Sequence, residues 1–145
     1  MKKLLALSVL LAACLLVAAC GGSSPSRHES RAERSQPRVS IGGTLVTLRR
    51  PPAPNVDFLI DGTVKIDDIA LPLPEARKQE TREAFLQWQM LRQQAINDGR
   101  LAADARGVPV QAPPALQALQ QQLMQDIPEL RPYAPSFAAL KAEWH

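Results

Sequence analysis

Apolar and polar positions change their period several times along this chain. Leu4 to Val17 is almost continuously apolar, broken only by Ser8. Gly21 to Pro37 then holds, its prolines apart, no apolar residue larger than Ala32. Such a segment buries too little surface to offset its ordering entropy, so disorder is expected. Val39 and Ile41, then Leu45, Val46 and Leu48, flank Gly42-Gly43, which predicts a hairpin. Pro51, Pro52 and Pro54 follow and predict a stiff extended connector.

Asn55 to Pro74 carries the strongest strand pattern. Val56, Phe58 and Ile60 alternate, Asp61-Gly62 can turn, Val64-Lys65-Ile66 alternates again, and Asp67-Asp68 can turn before Ile69-Ala70-Leu71. Val56, Phe58, Ile60, Val64 and Ile66 are expected on one face that needs a cover. The cover is a helix from Pro74, with Ala84, Phe85, Trp88, Leu91, Ala95 and Ile96 at helical spacing; Asp98-Gly99 ends or kinks it before Leu101. Gly107 to Pro114 is a break. Pro114 opens a second helix whose stripe is Leu116, Leu119, Leu123 and Ile127, with Gln117, Gln120, Gln121, Gln122 and Gln125 read as solvated. Pro128, Pro132 and Pro135 interrupt the chain, and Ser136 is placed to cap a last helix carrying Phe137, Leu140 and Trp144.

The first apolar run ends in a short motif. Met1-Lys2-Lys3 is a positive start, Leu4 to Val17 is too short to span a bilayer of ~30 Å comfortably, and Val17-Ala18-Ala19-Cys20 follows. This sequence resembles the lipobox of bacterial lipoproteins. The resemblance implies cleavage between Ala19 and Cys20, a diacylglycerol on the Cys20 sulfur and acylation of the new amine. A thiol suits thioether formation because its thiolate is a strong nucleophile. Leu11-Ala12-Ala13-Cys14 is also box-like, but it leaves only Leu4 to Leu10 before it and a second apolar run behind it, so Cys20 is preferred. Gly21 stands where an aspartate retains such proteins in the inner membrane of enterobacteria-like cells; the resemblance therefore implies the outer membrane, facing the periplasm.

Charge changes the picture in a second way. The chain has 17 basic and 14 acidic residues, net +3; without Lys2 and Lys3 the balance is +1. Gly21 to Pro54 carries +4 and Asn55 to His145 carries −3. A basic tether is attracted to an anionic membrane surface, and a mildly acidic body speaks against nucleic-acid binding. The two cysteines are Cys14 and Cys20, so a cleaved, lipidated chain has no thiol left for a disulfide.

The remaining chemistry is sparse. His28 lies in the tether and His145 in the final turn of sequence, neither with metal partners at ligand spacing. Asp57, Asp61, Asp67 and Asp68 raise a calcium loop, but turn chemistry accounts for them better. Glu80 and Glu83 are helical neighbours on a solvated face. Gly42-Gly43 lacks the lysine and helix of a phosphate loop, and no Gly-x-Ser-x-Gly elbow occurs. Phe58, Phe85 and Trp88 are either core or a ligand-stacking set, core packing being preferred.

The expectation is an α+β body. A β-meander at about 39–71 packs on helices at about 74–105, 114–127 and 136–144, with a nucleus at about 55–97. A signal peptide at 1–19 and a basic disordered tether at 20–38 precede it. No metal or cofactor is expected. The function expected is a non-enzymatic, membrane-anchored envelope protein that binds another protein or supports assembly. The alternative is a periplasmic binder of small apolar ligands or lipid. A ligand site should open beside Phe58, Phe85 and Trp88; a partner surface should leave Leu116, Leu119 and Leu123 uncovered.

Overall fold

A computed structural model describes residues 30–103 and 106–145. The first helix among the described residues, α1, is a single turn, Arg31–Arg34, with no buried residue. It lies inside the segment expected to be disordered, and Arg38, also in that segment, already belongs to the sheet and donates to the Glu33 carbonyl at 2.9 Å. Residues 20–29 and the whole 1–19 leader, with Ala19 and Cys20, fall outside the described residues.

The strands are β1 (Arg38–Ile41), β2 (Val46–Arg49), β3 (Val56–Phe58), β4 (Val64–Ile66), β5 (Ile69–Ala70), β6 (Val108–Val110) and β7 (Leu140–Ala142). They form one seven-stranded sheet in the order β5-β4-β3-β2-β1-β7-β6. The first five make an antiparallel meander; β7 enters parallel to β1, and β6 pairs antiparallel with β7. Registers align side chains by period two. Val39, Leu48, Val56 and Ile66 fall in one row with Leu140, and Ile41, Val46, Phe58 and Val64 in the next with Ala142. All of these are buried except the half-buried Ile66.

Turn chemistry fixes the meander. Asp67 and Asp68 have φ of 52° and 64°, the left-handed pair that a two-residue hairpin needs. Gly62, at φ 85°, closes the β3–β4 turn, where its carbonyl accepts the buried Thr81 hydroxyl at 2.6 Å. Ile60 sits in this turn and is exposed, not on the inner face as its alternation suggested. The proline connector also differs from expectation. It reverses direction, with the Ala53 N–H donating to the Arg50 carbonyl at 2.8 Å.

One layer of helices covers the apolar face. The long helix α2, Glu75–Asn97, buries Thr81, Ala84, Phe85, Trp88 and Ala95. It stops at Asp98 and the left-handed Gly99 and does not continue to 105. Helix α3, Pro114–Asp126, begins at the proline that needs no N–H partner there. A 3-10 segment, Pro128–Ala138, buries Leu130, Tyr133, Ser136 and Phe137. Pro132 and Pro135 lack the N–H groups that a regular α-helical ladder requires, so the tighter coil takes its place.

The helix expected at about 136–144 is therefore absent, and β7 occupies that stretch. Its ends are tied to β1: the Val39 N–H donates to the Ala139 carbonyl and the Glu143 N–H to the Ile41 carbonyl, both at 2.8 Å. Ser136 caps no helix; its hydroxyl donates to the Arg49 carbonyl at 2.9 Å. Strands β2, β1 and β7, all outside the expected nucleus at 55–97, stand at the middle of the sheet. The unit described from Ala32 to His145 is thus a two-layer α+β fold. Among the described residues no helix is long and apolar enough to cross a membrane.

Candidate functional site

Helix α3 sets one wall of the most distinctive concavity. Leu116, Gln120 and Leu123 form its buried stripe, with Ile127 just beyond the helix. The stripe read from the sequence placed Leu119 there and Gln120 in solvent; Leu119 is only half-buried and Gln120 is 3% exposed. A carboxamide thus enters a layer of leucines, and its Nε2 has no acceptor among the described residues. Buried polar groups are nearly always partnered, so an orphan donor needs a reason.

Gln120 lies in a cleft of 520 Å³ between α3, the 3-10 segment and the β6–β7 edge. Gln111, Gln117 and Gln121 stand with it around an apolar floor of Met124, Phe137 and Leu140. Gln117 and Gln121 are one helical turn apart and flank Gln120 on the helix. Gln117 Nε2 donates to the Ala112 carbonyl at 2.8 Å, which holds the incoming loop against the helix. Among the described residues no charged side chain lines this cleft. Its chemistry is four carboxamides, each both donor and acceptor, above hydrocarbon.

The cleft continues along the molecule. A neighbouring one of 480 Å³ shares Val110 and Gln111 with it and adds Leu91, Gln94, Arg100 and Pro109. A third, of 500 Å³, shares Leu91 and Gln94 with the second and brings in Gln87, Gln93 and the exposed Met90. Together they make a glutamine-lined trough past the edge strand β6. That edge is blunted. Pro109 has no N–H, and its carbonyl accepts Arg100 Nη2 at 2.6 Å.

Comparison of the chain with family models, with curated proteins and with solved structures finds no match.

The residues singled out from sequence fall elsewhere. Phe58, Phe85 and Trp88 are buried in the core. Trp88 meets Phe58 edge-on, centroids 5.1 Å apart, and stacks on Phe137 at 6.3 Å. None of the three lines the clefts described above. Leu116 and Leu123 are covered, so no exposed leucine stripe remains on α3. The aspartates serve the meander: Asp57 accepts from the Thr47 hydroxyl at 2.7 Å, and Asp61 accepts from the Thr63 N–H at 2.9 Å. The Thr63 backbone bond holds the Asp61 carboxyl below its ordinary pKa. Glu80 is held by Arg77, which also reaches Asp126 at 2.9 Å and so ties α2 to α3. Among the described residues no three His, Cys, Asp or Glu side chains could hold a metal ion.

Sequence reasoning missed the glutamines because a Gln-rich helix face reads as solvated. The available signal was spacing. Gln120 is four residues after Leu116 and three before Leu123, which makes it a core position on an α-helix.

Proposed function

We propose that this is a lipid-anchored envelope protein whose body is a non-enzymatic module for binding a protein partner. The observation that carries the reading is the uncharged glutamine cleft with its buried, unpartnered carboxamide. Such a wall offers hydrogen bonds without a nucleophile or a titratable group, so it supports recognition and not bond chemistry. The anchor rests on Val17-Ala18-Ala19-Cys20, and Gly21 favours the outer membrane facing the periplasm. The reading as a binder of small apolar ligands draws no support from Phe58, Phe85 and Trp88, whose packing leaves no open face.

Two measurements test the two halves. Cys20→Ser should abolish incorporation of palmitate label and release the protein from membranes; label retained in that variant points to Cys14 and refutes the cut site. A photocrosslinking side chain at position 121 should capture a defined partner in intact cells, while the same side chain at Ile69 on the opposite sheet edge should not. Equal capture from both positions would remove the cleft from the reading.

A further inference from the structure

We infer that the outward face of the sheet docks on an anionic phospholipid membrane and leaves the helix layer, with its cleft, on the far side. The inference rests on the lipid-anchor half of the reading and names which side of the body meets the membrane. Helices α2 and α3 and the 3-10 segment cover the other face, through Trp88, Leu116, Leu123 and Phe137. Period two along each strand turns Arg38, Arg49, Lys65 and Lys141 outward, all half-buried, with Asp57 the one carboxylate among the outward strand residues. Arg38 and Arg49 stand directly opposite each other in the β1–β2 ladder, and Lys141 is on the next strand. Like charges so placed repel. Both Nε–H groups donate to Ser40 Oγ, at 3.4 and 3.2 Å, so a neutral oxygen holds the two cations side by side. Arg49 has no ion pair among the described residues. An anionic surface laid against the face relieves the repulsion.

The shape of the face favours a surface over a small anion. None of these cations lines a cleft described above, so the charge is spread over neighbouring strands. Ser40 and Thr47 have their hydrogen bonds within the face, and what it presents outward is charge. Single-stranded nucleic acid is held by aromatic stacking as well as charge, and no outward strand residue is aromatic. The nearby acidic groups stand apart from the arginine pair. Glu143, whose N–H donates to the Ile41 carbonyl, is at the far end of β1 from Arg38. The turn Asp67-Asp68 follows β4, three strands from β1 and about 14 Å away. Position in the chain agrees with the charge. Arg38 is eighteen residues after Cys20, so even an extended chain keeps it within about 65 Å of the lipid. Docking tethered at that range is intramolecular, and each close basic residue favours it about fivefold.

The test uses the full chain purified from membranes and reconstituted in vesicles of phosphatidylcholine, alone or with phosphatidylglycerol added. Acetylation by an amine reagent is followed lysine by lysine with mass spectrometry. Lys65 and Lys141 lie on the docking face, and Lys78 lies on α2 in the helix layer. Phosphatidylglycerol should slow the acetylation of Lys65 and Lys141 several-fold and leave Lys78 unchanged, and high salt should reverse the effect. Arg49→Gln should weaken the docking about fivefold and remove most of the slowing. Arg49→Lys keeps the charge and should keep the slowing, which holds the test valid if the glutamine variant loosens the sheet. Slowing at Lys78 to the same extent, slowing that survives high salt, no slowing with either lipid, or equal slowing by polyuridylate added to phosphatidylcholine vesicles overturns the inference. If palmitate label on Cys20 persists in any of those cases, the anchor reading stands and the docking face alone has failed.

Discussion

Trp88 is the side chain from which the stability of this fold can best be measured. It is fully buried, touches Phe58 and Phe137 with its ring faces and edge, and keeps an Nε1–H without an acceptor. Replacing it with alanine removes the indole and leaves a cavity, at a cost of about 3–5 kcal/mol. Replacing it with phenylalanine has two opposed effects. Ring volume is lost, but the orphan donor, whose burial costs about 1–3 kcal/mol, disappears too. Trp88→Phe should therefore cost less than half of Trp88→Ala. Urea unfolding reads the difference. With a slope of about 2 kcal/mol per molar, the alanine variant's midpoint should fall by about 2 M and the phenylalanine variant's by less than about 1 M. Far-ultraviolet circular dichroism follows the unfolding of all three proteins, since the variants lack Trp88; in the parent alone, Trp144, 37% exposed, is replaced by phenylalanine so that fluorescence reports Trp88. The native emission should then be that of an indole shielded from water. If Trp88→Ala unfolds within about 1 kcal/mol of the parent, the ring is not the keystone of the core. If the two variants cost the same, the Nε1–H finds a partner in solution.

Two further outcomes follow from the turns and the one perturbed phenol. Gly62→Ala should destabilise by at least about 2 kcal/mol, because φ is positive and a Cβ would press on the Lys78 carbonyl. Gly99→Ala, at φ 70° with open space around it, should cost only about 1 kcal/mol in the same denaturant melts; equal costs would rule out the contact with α2. Burial raises the Tyr133 phenol above its ordinary 10.0, against a weaker opposing pull from Arg50. The folded state thus holds this proton more tightly than the unfolded chain. The stabilisation is complete below pH 10 and is lost as pH rises through the raised value. Tyr133→Phe should flatten that alkaline fall in stability. At neutral pH it should cost about 0.5–1.5 kcal/mol, since the hydroxyl donates to the Pro54 carbonyl at 2.6 Å. An unchanged alkaline limb would assign the fall to other groups.

What the chain reveals before folding depends on the length of each pattern. Helix α2 is legible because Ala84, Phe85, Trp88 and Ala95 repeat over several turns. The meander is legible because Asp67-Asp68 and Gly42-Gly43 punctuate alternating runs, and Pro114 marks a helix start by what it lacks. Strands β6 and β7 have three residues each, as β3 and β4 do, but no turn joins either of them to a second alternating run next to it in the sequence. Phe137, Leu140 and Trp144 happen to match a helix, and only the pairing of β7 with β1, about a hundred residues upstream, decides otherwise. Propensity cannot see a partner that distant. The cleft was hidden for a different reason. Its glutamines are chemically ordinary one at a time, and the loop holding Gln111 meets α3 only in the fold.

The two polar regions of the sheet and its cover differ in what they still need. On the outward face, Ser40 and Thr47 are buried by their neighbours, yet both are satisfied: the Thr47 hydroxyl donates to Asp57, and Ser40 Oγ accepts Arg49 Nε at 3.2 Å. Arg38 reaches the same Ser40 oxygen at 3.4 Å, so the face is closed into its own network. Nothing there requires a partner, although helices cover only the other side. Gln120 is as deeply buried as Ser40 and has not been satisfied in the same way. A fold that pairs its polar groups so fully on one face leaves an unpaired amide on the other at a cost. That cost sits in the wall of the open cleft, beside Gln111, Gln117 and Gln121. The two polar regions thus differ in chemistry, and the unsatisfied one lies at α3, not on the outward face of the sheet.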